Sequence, residues 1–127
     1  MSELPTDLRF TTDHEWVRPE GAAWAVGITQ FAVDQLGDIT LVDLPKEGDM
    51  VTKGQRFGTI ESVKSVSDLY APLSGRVARI NGELRDQPEL VNSDCYGKAW
   101  MIEIEPADKA ELDELLDHDA YAKQIAG

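Results

Sequence analysis

From Leu8 to about Glu105 the apolar residues fall in short runs separated by Gly, Pro, Asp and Asn, a pattern that predicts strands and turns. Arg9-Phe10-Thr11-Thr12 and His14-Glu15-Trp16-Val17-Arg18 predict the first two strands, followed by a turn at Pro19-Glu20-Gly21. Ala22 to Ile28 predicts a buried third strand. Ile39 to Leu44, Met50 to Thr52, Arg56 to Ser62, Val66 to Tyr70, Arg76 to Ile80 and Ala99 to Ile104 complete the set, with reversals at Pro45-Lys46-Glu47-Gly48-Asp49 and Lys53-Gly54. One helical segment interrupts them. Thr29 can cap its N-terminus, Phe31, Ala32, Gln35 and Leu36 follow at helical spacing, and Gly37 ends it. Strands this short predict a compact barrel or small sandwich.

After Pro106 the period lengthens. Asp108 to Leu116 puts Leu112, Leu115 and Leu116 on one helical face, and Asp117 or Asp119 can cap a last helix carrying Tyr121, Ala122 and Ile125. The outer faces of these helices are acidic, which suits a lid on the β core and not a membrane-surface helix, whose polar face is basic. The pattern therefore predicts one mostly β domain over residues 1–127, with a lead-in at 1–6, a β core at 8–105 and helices at 107–126.

Residues 59–70 carry a second pattern. Folded about the Lys64–Ser65 bond, the segment mirrors itself: Val63 meets Val66, Ser62 meets Ser67, Glu61 meets Asp68 and Ile60 meets Leu69. Opposed positions in an antiparallel hairpin are cross-strand neighbours, so the mirror predicts a two-residue loop with Lys64 and Ser65 at its tip. The loop lacks the Gly or Asn that tight hairpin turns favour, and the register sets Glu61 against Asp68. A lysine at such a tip has its side chain in solvent and its amine open to a second protein.

Composition narrows the functions. At 42% hydrophobic and 28% charged, the 127 residues can bury a core. Twenty-four acidic residues against 12 basic ones give a formal charge of −12, which disfavours nucleic acid and anionic membranes and favours partners with basic patches. No run approaches the roughly 20 apolar residues needed to span a bilayer. Met1 to Asp7 resembles neither a signal nor a transit peptide. With the lone Cys95, this predicts a reducing, cytoplasmic setting; a monomer is expected. His14, His118 and Cys95 lack metal-ligand spacing, and no nucleophile–base pair or phosphate loop is legible.

The run Glu61-Ser62-Val63-Lys64-Ser65-Val66-Ser67-Asp68, followed by Ala71-Pro72-Leu73-Ser74-Gly75, resembles the lipoylation site of the glycine cleavage system H proteins. His14-Glu15-Trp16-Val17, Val26-Gly27-Ile28-Thr29, Gln35-Leu36-Gly37-Asp38, Glu89-Leu90-Val91-Asn92 and Glu111-Leu112-Asp113-Glu114-Leu115-Leu116 resemble the same family in order and spacing, from about Leu8 to Ala126. The resemblance implies a barrel-sandwich hybrid fold and a carrier, not an enzyme. It implies lipoate joined by an amide to the Lys64 ε-nitrogen. Glu61, Ser62, Val63, Ser65, Val66, Ser67 and Asp68 would then form the hairpin that a lipoyl-attaching enzyme recognises. It implies that an aminomethyl group passes from a pyridoxal-phosphate glycine decarboxylase to a tetrahydrofolate-dependent aminomethyltransferase, with dihydrolipoamide dehydrogenase restoring the disulfide. It also implies an arm-docking surface that includes His14, Glu15 and Gln35.

Two positions depart from the family pattern. Cys95 stands where proline is usual before the tyrosine, and Ser65 stands where alanine is usual. Other pathways remain open to such a carrier, namely sulfur oxidation or lipoyl relay to 2-oxo acid dehydrogenases. A biotin carrier fits less well, because the biotinyl tip resembles Met-Lys-Met. An unmodified interaction protein keeping the same fold is a third class.

Overall fold

The computed structural model describes residues 5–126, so most of the expected lead-in lies outside the described residues. The chain runs β1 (Arg9–Phe10), β2 (Glu15–Arg18), β3 (Trp24–Ile28), α1 (Gln30–Leu36), β4 (Ile39–Asp43), β5 (Met50–Val51), β6 (Arg56–Ser62), β7 (Val66–Tyr70) and β8 (Gly75–Ile80). Two single-turn helices follow, α2 (Glu83–Asp86) and α3 (Leu90–Ser93), and then β9 (Ile102–Pro106), a 3-10 segment at Lys109–Glu114 and α4 (His118–Ala126). The strands pair antiparallel in two sheets, one of six strands in the order β1-β2-β3-β9-β8-β5 and one of three in the order β4-β6-β7.

The main core draws on both sheets: Val26, Ile28, Ile60, Leu69, Val77, Ile102 and Ile104 are buried in one cluster. Alternation along β2 splits its side chains between two environments. Val17 joins the main core, while Trp16 joins a second cluster with Leu8, Phe10 and Tyr121. The outer face of β2 would be solvated in an open sheet; here the C-terminal segment covers it. Trp16 lies over Gly27, its cross-strand partner, where an added Cβ would stand 2.6 Å from the indole. Its indole N–H donates to the Cys95 carbonyl at 3.0 Å.

Most expected strands appear with trimmed ends. The third begins at Trp24 and not Ala22, because Gly21 turns at φ 78° and its carbonyl accepts the Trp24 indole N–H at 3.2 Å. The segment between Ile80 and Ala99, for which no element was predicted, holds α2 and α3. The expected helix from Asp108 to Leu116 is corrected to a 3-10 segment ending at Glu114. Glu111 turns back to accept the Ser74 amide at 2.8 Å, and Leu116 leaves the helix to pair with Phe10 through two 2.8 Å backbone bonds. A strand edge needing partners has overridden helical spacing. Of the two candidate caps for the last helix, Asp117 acts, accepting the Ala120 amide at 2.9 Å. Phe10 and Tyr121 then stack with ring centroids 4.6 Å apart.

Gly58 sits where β6 passes β4, and a Cβ there would fall on the Asp43 carbonyl oxygen. Gly58→Ala is expected to lower the unfolding free energy by about 1–3 kcal/mol in urea denaturation. Gly82→Ala, in open space with ordinary helical dihedrals, is expected to stay within about 0.5 kcal/mol of the parent.

Candidate functional site

The hairpin forms as the mirror pattern predicts, but its register is shifted. Glu61 pairs with Val66, Ile60 with Ser67 and Thr59 with Asp68, so the fold point lies between Val63 and Lys64 and not between Lys64 and Ser65. Partners move by two residues, which leaves every side chain on its expected face. The like-charge pairing of Glu61 with Asp68 is gone. Turn chemistry decides the shift. Ser62 and Ser65 close the loop through the Ser62 amide, 2.8 Å from the Ser65 carbonyl. The Ser62 hydroxyl accepts the Lys64 amide at 3.3 Å and the Ser65 amide at 3.2 Å. Among the described non-glycine residues only His14 has a positive φ, so this turn needs no left-handed residue and hence no Gly.

Val63, Lys64, Ser65 and Val66 are exposed, with Val63 and Val66 at 69% and 65%. Among the described residues Lys64 makes no ion pair. The tip is nonetheless anchored: the Val63 amide donates to the Asp38 carbonyl at 3.0 Å. The Lys64 Cε lies 3.5 Å from where a Gly37 Cβ would be. An exposed, unpaired primary amine on an ordered backbone fits acylation by a carboxylic cofactor such as lipoate.

Beside the hairpin lies a cleft of about 170 Å³ between α1, the turn leading into β2, and β7. His14, Glu15 and Gln35 all line it, together with Ser67 and Asp68. The fold thus brings the candidate docking residues to the last two hairpin residues. Glu61 and Ser62 do not line the cleft, and neither do the tip residues Val63, Lys64, Ser65 and Val66. Gln35 is exposed at the mouth, whereas Glu15 is only 2% exposed at the floor.

Glu15 accepts the Thr11 hydroxyl at 2.9 Å and the Tyr70 amide at 3.1 Å. Burial pushes its carboxyl up to about 8, opposed by those two hydrogen bonds and assisted by nearby Asp13. At neutral pH the folded form therefore favours the protonated acid. His14 stands beside it in the left-handed region at φ 70°. Its Nδ1 lies 2.8 Å from the Tyr121 hydroxyl, which lies 2.7 Å from the Thr29 hydroxyl, and its ring packs on Phe31 at 4.7 Å. Burial lowers the His14 pKa against a smaller opposing pull from Asp13. Tyr121 was legible only as a core residue of the last helix; its partner is 107 positions away, and no local signal marks the contact.

Cys95 is buried, its Sγ 3.6 Å from the Oε1 of Gln30 on α1. Burial pushes its thiol up to about 12, which leaves it protonated and unsuited to disulfide exchange. His118 pairs with Asp119 at 3.3 Å, and the described residues hold no cluster of metal-ligating groups. No helix among them is long and apolar enough to cross a membrane.

Glu15 binds its proton more tightly folded than unfolded, so its contribution to stability is complete below about 4.5 and is lost as pH rises through about 8. Glu15→Gln cannot titrate. Relative to that variant, the parent is expected to lose on the order of 1 kcal/mol per pH unit across this window, read by urea denaturation over a pH series. A constant difference between the two proteins would contradict the raised carboxyl.

Comparison with known proteins places the chain in a family. The family model described as glycine cleavage H-protein matches residues 8–127. A probable glycine cleavage system H protein of Haloarcula marismortui is 53% identical over 123 residues, covering 97% of each chain. The glycine cleavage system H protein of Halalkalibacterium halodurans is 50% identical over 126 residues, covering 99% of this chain and 98% of the relative. The crystal structure of a glycine cleavage system H protein from Mycobacterium marinum superposes with a TM-score of 0.89 at 37% identity, covering 98% of this chain and all of that one. The chain belongs to the glycine cleavage system H protein family, non-catalytic carriers that hold lipoate covalently.

Proposed function

We propose that Lys64 carries the lipoyl group, making the chain a single-domain shuttle for the aminomethyl group of glycine. The observation that carries this is the Lys64 amine, exposed and unpaired at an ordered hairpin tip beside a cleft. When bound, lipoate supplies a disulfide that opens on reduction and re-forms on oxidation. The chain's own residues do the rest. Lys64 Nζ supplies the anchoring nitrogen. Glu61, Ser62, Val63, Ser65, Val66, Ser67 and Asp68 offer a shaped hairpin to the lipoyl-attaching enzyme, with the serines holding the turn and the valines giving exposed apolar contact. His14, Glu15 and Gln35 form the surface on which the loaded arm rests, away from water. There Glu15 holds its proton at neutral pH and can release it when a cationic amine approaches.

The partners are glycine decarboxylase, the tetrahydrofolate-dependent aminomethyltransferase, dihydrolipoamide dehydrogenase and a lipoyl-attaching enzyme. The formal charge of −12 supports brief encounters steered by basic patches on these proteins, and a carrier visiting several of them needs fast release more than tight binding. The working form is a cytoplasmic monomer.

Lys64→Arg tests the assignment. The variant is expected to unfold within about 0.5 kcal/mol of the parent, since the side chain is exposed. Incubated with a lipoate ligase, ATP and lipoate, the parent is expected to gain one lipoyl group, located at Lys64 by fragmentation, and the variant none. Modification of the variant, or of another lysine in the parent, would overturn it.

A further inference from the structure

The hairpin tip is held from outside where β4 meets β6: Ile39 pairs with Ser62, and just beyond it the Val63 amide donates to the Asp38 carbonyl. Asp38 sits in the corner between α1 and β4, and that corner is itself pinned by a side chain from a distant part of the chain. Asn92, half-buried on α3, accepts the Ile39 amide on Oδ1 at 2.9 Å and donates Nδ2 to the Gly37 carbonyl at 2.8 Å. Both halves of the amide grip the residues on either side of Asp38. The two partners fix the orientation of the group, because a flipped amide would set oxygen against the Gly37 carbonyl and N–H against the Ile39 amide. The same corner also lies against the Lys64 stem, with Cε 3.5 Å from a Cβ built on Gly37.

We propose that Asn92 is a positioning residue for the modification of Lys64, acting through the Gly37–Ile39 corner on the backbone from which the lysine springs. This rests on Lys64 being the attachment site. In that modification the deprotonated Lys64 Nζ attacks the carbonyl carbon of adenylated lipoate. The C–N bond forms and the bond from that carbon to the AMP oxygen breaks. AMP leaves with the electron pair, and the amine's proton passes to solvent. Asn92 touches none of these atoms. Its contribution is to order: a tip already fixed at Val63 loses less freedom on docking to the attaching enzyme than a loose one, and small misplacements of a reacting group are costly in rate. Ser62 closes the turn from within, whereas Asn92 fixes where the closed turn stands relative to α1.

The test uses the full unmodified chain with a lipoate ligase, ATP and lipoate, reading the rate by intact mass and the site by fragmentation. Asn92→Ala removes both grips. Asn92→Asp keeps an acceptor for the Ile39 amide but turns an oxygen toward the Gly37 carbonyl. Both are expected to lower kcat/KM for attachment by roughly tenfold, chiefly by raising KM for the carrier. Both are also expected to speed hydrogen exchange of the Val63 amide by roughly tenfold, while the Ile102 and Ile104 core amides keep their protection. Attachment at the parent rate, unchanged exchange at Val63, or equal acceleration at Ile102 and Ile104 in both variants would overturn the role of Asn92. A parent chain modified at a residue other than Lys64 would remove the attachment assignment and this role with it. A parent modified at Lys64 and matched by both variants would remove the role of Asn92 alone.

Discussion

A buried carboxyl joins the two sheets. Glu15 lies on β2 of the six-stranded sheet, and its Oε2 takes the amide of Tyr70 at the end of β7 in the three-stranded sheet. Burying an ionised carboxylate is expensive, and the protein meets that constraint by keeping the acid neutral at ordinary pH while giving both oxygens a donor. The Tyr70 amide would otherwise be an orphan at a strand edge. One residue thus closes the seam between sheets, forms the floor of the cleft and stores a proton there.

The left-handed backbone at His14 follows from the same constraint. The chain must turn sharply between Thr11 and β2 to aim Glu15 inward, and Thr11 serves both ends of the turn: its hydroxyl accepts the Glu15 amide at 3.1 Å and donates to the carboxyl. A non-glycine residue at φ 70° costs on the order of 1–3 kcal/mol unless its surroundings hold it. Tyr121, Thr29 and Phe31 do so from the last helix, the cap of α1 and α1 itself. The C-terminal segment is therefore more than a lid. It supplies the edge partner of β1, the cover over Trp16 and the hydroxyl that steadies His14.

At the opposite extreme stands the hairpin tip, where little is buried and local hydrogen bonds replace packing. Ser62 satisfies two amides with one hydroxyl, so the turn closes without glycine and leaves Val63 and Lys64 facing solvent. The proposed carrier role would use this division, with the cleft for its cargo and a small ordered platform for larger proteins to grip in turn. Exposed valines on either side of the lysine, in an otherwise acidic chain, offer apolar contact without strong affinity.

Short apolar runs, turn residues and the mirror about Lys64 were enough to read the strands, the α1 cap at Thr29, the hairpin and its exposed lysine, because each depends on neighbours in sequence. Register, by contrast, rested on the Ser62 hydroxyl, which composition could not distinguish from any other serine. The end of the helix at Glu114 was set by an edge strand a hundred residues earlier, and periodicity carries no record of such a partner. The raised carboxyl of Glu15, the His14–Tyr121 contact and the Asn92 grip on the Gly37–Ile39 corner all join residues far apart in the chain. Local patterning decides which elements form and which face each side chain takes; only the packed structure decides which distant groups meet, and the cleft is made almost wholly of such meetings.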